Sequence, residues 1–221
     1  MIMLEGMMNS SVLHFPAEYS VALPDSILDG KNPPVILLLH GLGCSDEQWK
    51  YGVRLERLAE RFGAAFVMPS SRRSCFQDMA HGPAWNTWLK SELLPAIKTQ
   101  TGAGGGKTAT IGVGTGALGV YALAMTDPSV IGAAIDPVEG TPFERDEKVW
   151  PSAGEWDGVF DGAGSVWEKG LPDDSRGLVL AAPDCPRRIR AEGWQVRTEA
   201  AQELEALLEK AVEYCMARLS E

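Results

Sequence analysis

The 221-residue sequence predicts an α/β fold: a mostly parallel sheet with helices on both faces. Three observations carry this. Residues 35–39 and 64–68 are short continuous apolar runs, the pattern of strands covered on both sides. Segments of helical apolar spacing alternate with such runs, as parallel sheets require. Residues 108–119 then read as a buried strand, a tight glycine turn and a helix.

Taken in order, residues 18–24 suggest an early strand. Pro33 and Pro34 precede the run 35–39, and His40-Gly-Leu-Gly-Cys-Ser45 forms the following turn. Residues 49–62 have helical spacing through Val53, Leu55, Leu58, Ala59 and Phe62, with Gly63 as C-cap. The strand 64–68 stops at Pro69. Residues 70–83 are a loop, 84–99 a helix and 101–106 a glycine-rich linker. After the 108–119 unit, residues 130–135 are another strand. Residues 137–174, rich in Gly, Pro, Asp and Trp, read as a loop-rich insertion near the pocket of a single domain spanning 1–221. Residues 177–182 are a last strand. Thr198 is expected to cap a final helix that lines Leu204, Leu207, Leu208, Ala211, Val212, Cys215 and Leu219 on one face.

Composition narrows the function. Hydrophobic residues are 45% and charged residues 23% of the chain, the balance of a soluble globule. The net charge of −10 argues against a nucleic-acid groove or an anionic membrane surface. No apolar run approaches the ~20 residues of a membrane span. The start lacks a basic segment and carries Glu5 among its apolar residues, unlike a signal peptide. The four cysteines, Cys44, Cys75, Cys185 and Cys215, show no paired or zinc-site spacing. Free thiols, a cytoplasmic location, no metal and no cofactor are the expectations. The oligomeric state is not encoded.

An ordered set of segments is more specific than any of its members. Tyr19-Ser-Val leads to Leu23-Pro24, and residues 35–39 lead to His40-Gly-Leu-Gly43. Trp49, Phe66-Val-Met-Pro69 and Trp88-Leu, with Glu92-Leu-Leu-Pro95, come before Gly112, Gly114, Gly116 and Gly119. This order resembles the esterase D-like family of α/β-hydrolases, which includes S-formylglutathione hydrolases, feruloyl and acetyl esterases and mycolyltransferases. The resemblance implies cleavage of esters or thioesters by a serine, a histidine and an aspartate. It places the oxyanion-binding backbone N–H groups on Leu42 and Thr115.

The chain departs from that family where chemistry is done. The serine of the nucleophile elbow, Gly-x-Ser-x-Gly, falls on Gly114. The acid position falls on Asp184, after the last core strand. The histidine position falls on Trp194, and no histidine follows His81. Without nucleophile and base, the favoured reading is a non-catalytic relative that binds a small acyl or aromatic ligand or a protein partner. The alternative is an active ester or thioester hydrolase with Cys44 as nucleophile and His81 as base. His40 reads as structural, and the Thr115 side chain as elbow packing.

A second alternative is dinucleotide binding. Gly114, Gly116 and Gly119 spell G-x-G-x-x-G between a strand and a helix, with Asp136 after the next strand. The motif sits in mid-chain, however, where a dinucleotide fold does not carry it. Residues 102–108 imitate a phosphate loop but have Thr101 at the first glycine and lead into a strand. Trp150, Trp156 and Trp167 mark the insertion as a candidate aromatic surface.

Overall fold

A computed structural model of the chain describes residues 1–79, 81–127, 129–135, 177–181, 195–198 and 204–220. Eight strands form one sheet in the order β1-β2-β4-β3-β5-β6-β7-β8. They are β1 (Ile2–Asn9), β2 (Pro16–Leu23), β3 (Val35–Leu39), β4 (Ala65–Pro69), β5 (Thr108–Val113), β6 (Ile131–Ile135), β7 (Gly177–Ala181) and β8 (Gln195–Thr198). The pairs β1–β2 and β2–β4 are antiparallel, and every pairing from β4 through β8 is parallel. The helices are α1 (Glu47–Gly52), α2 (Leu55–Phe62), α3 (Trp85–Trp88), α4 (Leu94–Thr101), α5 (Gly116–Thr126) and α6 (Leu204–Leu219).

The apolar run of β3 feeds two cores. Val35, Leu37 and Leu39 face one layer with Trp88 of α3, Ile97 of α4 and Tyr121 of α5. Ile36 and Leu38 face the other, with Trp49 of α1, Leu58 of α2 and Leu208 of α6. All five β3 residues are fully buried, each contributing about 1.5–3 kcal/mol of apolar burial. No helix of the described residues is long and apolar enough to cross a membrane.

Several boundaries differ from the expectation, each for a physical reason. The edge strand β1 gives little sequence signal because most of it is exposed, Met3 and Met7 included. Its register with β2 defines it, and Gly6 lets the Tyr19 ring lie close: a Cβ there would sit 2.5 Å from the ring. The expected helix 49–62 is two helices, because Val53 is extended (φ −142°, ψ 157°) while staying buried. Gly63 caps α2 in the left-handed region, as expected. The helix expected at 84–99 runs from Trp85 to Thr101 through a π-helical turn, Leu89–Leu93. Pro95 has no N–H for a regular bond to Ser91, and the widened turn just before it accommodates that loss. Thr198 is not a helix cap: it ends β8, and α6 starts at Leu204.

Candidate functional site

In open α/β sheets ligands bind outside the carboxyl ends of the strands, where the strand order reverses. Here β4 lies on one side of β3 and β5 on the other, so the reversal falls between β3 and β5. The two turns singled out in the sequence both leave the sheet at that point. Leu39 pairs with Gly112 at the strand ends, and the chain continues into His40-Gly-Leu on one side and Gly114-Thr on the other.

The turn after β3 is rigidly built. The Cys44 N–H donates to Gly41 O (3.2 Å), with Gly43 left-handed at φ 73°, as a type II turn demands. The Gly41 N–H is taken by Gln48 Oε1 at 2.9 Å. The Leu42 N–H, by contrast, makes no hydrogen bond among the described residues. His40 is 2% exposed, and its Nε2 accepts the Ser71 N–H at 3.0 Å. Nδ1 therefore carries the proton and donates to Gly41 O at 2.8 Å. Burial holds the His40 pKa below the usual histidine value, with the Gly41 hydrogen bond and Asp46 opposing. This histidine is a structural tie between two loops, as its position in the turn suggested.

The elbow between β5 and α5 turns on Gly114. Gly114 adopts φ 55°, and its N–H donates to Ile135 O at 2.9 Å. Thr115 is the N-cap residue of α5 and is 3% exposed. The flanking glycines are forced by close packing. A Cβ on Gly112 would lie 2.4 Å from Gly116 O, and one on Gly116 would lie 2.3 Å from Leu39 O. A Cβ on Gly119 would meet the Phe76 Cβ at 2.6 Å. Gly116 and Gly119 are thus explained by α5 lying against β3 and the Phe76 loop. Packing accounts for these two glycines without a dinucleotide.

Among the described residues no hydrogen bond joins the two candidate catalytic side chains of the alternative reading. Cys44 is exposed and borders an open depression of about 570 Å³ with Gln48, Tyr51 and Leu204. His81 is exposed on a turn closed by the Asp78–Ala84 bridge, and it does not border that depression. Asp78 anchors this turn by accepting the Thr87 N–H (2.9 Å) and hydroxyl (2.6 Å). Asp184, Trp194, Asp136, Cys185 and the tryptophans of the insertion lie outside the described residues. β8 starts at Gln195 and runs parallel to β7, so the chain reaches the carboxyl edge after Thr198. Residues 199–203, which lead from there to α6, contain no histidine.

In the loop between β4 and α3, one contact has no counterpart in the sequence pattern. Cys75 is 4% exposed and lies beside the Thr115 hydroxyl, behind the elbow. Burial pushes its thiol up to about 12, with the Thr115 hydrogen bond acting the other way, so it is inert as a nucleophile. Its signal was the non-glycine left-handed backbone of Cys75 and Phe76, which composition does not reveal.

This architecture is that of an α/β-hydrolase. It matches, over 98% of this chain and 95% of the other, an S-formylglutathione hydrolase from Agrobacterium tumefaciens (TM-score 0.77, 13% identity). It also matches FphF, a fluorophosphonate-binding serine hydrolase of Staphylococcus aureus (TM-score 0.75, 15% identity, 97% and 98% covered). A third match is a ferulic acid esterase of Anaeromyces mucronatus in complex with ferulic acid (TM-score 0.66, 15% identity, 97% and 89% covered). The Esterase family model, described as "Putative esterase", matches residues 10–136, and the chain belongs to that family.

Proposed function

We propose that this chain is an esterase-family α/β-hydrolase that has given up serine hydrolysis and keeps the β3–β5 carboxyl edge as a binding site. Its ligand is a small acyl or aromatic carbonyl compound, or a protein partner. The observation that carries this is Gly114: the left-handed elbow position holds a residue with no side chain. The chain's three histidines are His14, His40 and His81, and His40 is locked in a structural tie. The Leu42 and Thr115 N–H groups are the donors assigned to the ligand's carbonyl oxygen, because amides at adjacent strand ends keep that capacity without the nucleophile. Asp184 and Trp194 remain the assigned relics of acid and histidine.

The test is hydrolysis of p-nitrophenyl acetate by the pure chain and by Gly114→Ser, with amide NMR titration of 4-nitroacetanilide alongside. The expected result is no turnover above the heat-denatured control in either protein, with saturable shifts at Leu42 and Thr115. Family-like turnover in Gly114→Ser would reveal a working base and overturn the reading. Turnover in the unmodified chain that vanishes in Cys44→Ala would support the thiol alternative, which the exposure of Cys44 beside the Leu42 turn favours.

A further inference from the structure

Gly41 is the hinge on which the Leu42 N–H turns. Glycine has the widest backbone freedom of any residue, so its own chemistry does not fix the peptide planes on either side. Each peptide unit is planar and trans, with its C=O and N–H pointing in opposite directions. The Leu42 N–H therefore points away from wherever Gly41 O is held. The hinge sits beside the elbow: a Cβ built on Gly41 would lie 3.5 Å from the carbonyl oxygen of Val113, the last residue of β5.

Both planes are pinned by partners outside the glycine. In the plane that carries the Leu42 N–H, Gly41 O accepts the His40 Nδ1–H at 2.8 Å and the Cys44 N–H at 3.2 Å. In the plane before it, the Gly41 N–H donates to Gln48 Oε1 at 2.9 Å. An N–H can only meet an acceptor, so the Gln48 carboxamide presents its oxygen here and not its nitrogen. His40 and Cys44 belong to the turn itself, whereas Gln48 belongs to α1.

That helix is a fixed support. Trp49, the next residue, is fully buried in the core. Asp46, just before α1, is buried, accepts the Ser20 hydroxyl of β2 at 2.5 Å and pairs with Lys50 at 2.9 Å. The Gln48 and Trp49 N–H groups donate to Ser45 O and Asp46 O, each at 3.1 Å. Gln48 thus projects from a turn tied to the sheet on one side and to the core on the other.

We infer that Gln48 is a positioning residue, which aims the Leu42 N–H at the ligand's carbonyl oxygen by fixing the peptide plane before Gly41. This rests on the binding reading proposed above. Gln48 also selects the donor. It occupies the Gly41 N–H, and the Leu42 N–H makes no hydrogen bond among the described residues. Of two consecutive amides, one is spent on the scaffold and the other is kept for the ligand.

The experiment pairs two NMR measurements on the full chain. Residual dipolar couplings in a weakly aligning medium read the direction of the Leu42 N–H. Titration with 4-nitroacetanilide reads what that direction contributes to binding. Gln48→Met removes the acceptor at nearly constant side-chain length, and Gln48→Glu keeps one. In Gln48→Met the Leu42 coupling should change while those of Leu38 and Trp49 stay, and affinity should fall roughly threefold to tenfold, the worth of one hydrogen bond. Gln48→Glu should restore both. An unchanged Leu42 coupling in Gln48→Met, an affinity indifferent to a changed coupling, or equal losses in Gln48→Met and Gln48→Glu would each overturn the assignment. An unmodified chain that does not respond to the probe would overturn the binding reading instead, and the coupling would still decide whether Gln48 aims the amide.

Discussion

Two neighbouring turns at the carboxyl edge adopt the same left-handed backbone with opposite residues. At the elbow the position is Gly114, φ 55°. In the loop after β4 the positions are Arg72 (φ 59°), Cys75 (φ 53°) and Phe76 (φ 56°). A side chain in this region costs about 1–2 kcal/mol, and glycine escapes that cost. The loop accepts the strain because Phe76 is fully buried, its ring 5.0 Å from His40 in edge contact and its Cβ against Gly119. The elbow residue is a glycine and carries no such strain. Strain is retained where a side chain fills the core and absent where the residue has no side chain.

Substitutions can break this contrast. Phe76→Ala should cost about 3–5 kcal/mol in urea unfolding, because a buried ring is lost while the backbone strain stays. A loss below about 1 kcal/mol would mean that the ring does not offset the strain. Gly116→Ala should cost more than about 3 kcal/mol, since its Cβ meets the backbone oxygens of Leu39 and His40, which cannot rotate away. Gly114→Ser should cost about 1 kcal/mol through φ alone. A stability equal to that of the unmodified chain would show that the turn relaxes.

A smaller effect is pH-dependent. The folded pKa of His40 lies below 6.5, so the unfolded chain takes up the proton first. Its contribution is complete above about pH 6.5 and falls as the pH drops from there towards the folded value. Glu92 and Asp46, whose carboxyls are also held low, act from below their ordinary 4.5 and 3.8 and are separable. His40→Gln should flatten the slope of unfolding free energy between pH 6.5 and 5; an unchanged slope would assign it elsewhere. The smallest effect belongs to exposed Arg72. Arg72→Gly should gain about 0.5 kcal/mol, the relieved strain less the added freedom of the unfolded chain.

How much of this was legible depended on burial. β3 and β4 were readable because every residue in them is buried, which leaves a continuous apolar run. β1 and β8 were not, because a strand at the sheet edge is defined by pairing with its neighbour rather than by its own pattern. The break at Val53 was hidden because the residue remains buried while its backbone turns. At the site, the glycine spacing located the elbow and the His-Gly-x-Gly turn located its partner. The Ser71 tie to His40 and the seating of Cys75 behind Thr115 were invisible, since they depend on contacts across about 30 to 40 residues of sequence.

Helices α2 and α6 lie side by side, with Arg54 and the α2 residues Arg57 and Arg61 opposite Glu205, Glu209 and Glu213. Arg57 reaches both Glu205 and Glu209, and Arg61 both Glu209 and Glu213. One helix thus offers only cations to this seam and the other only anions. Sliding α6 by one turn would leave an unmatched charge at each end and would unseat the fully buried Leu208, Ala211 and Val212. Packing and charge therefore specify one register: apolar burial seats α6 on the sheet, and the exposed ion pairs add a smaller term of the same sign.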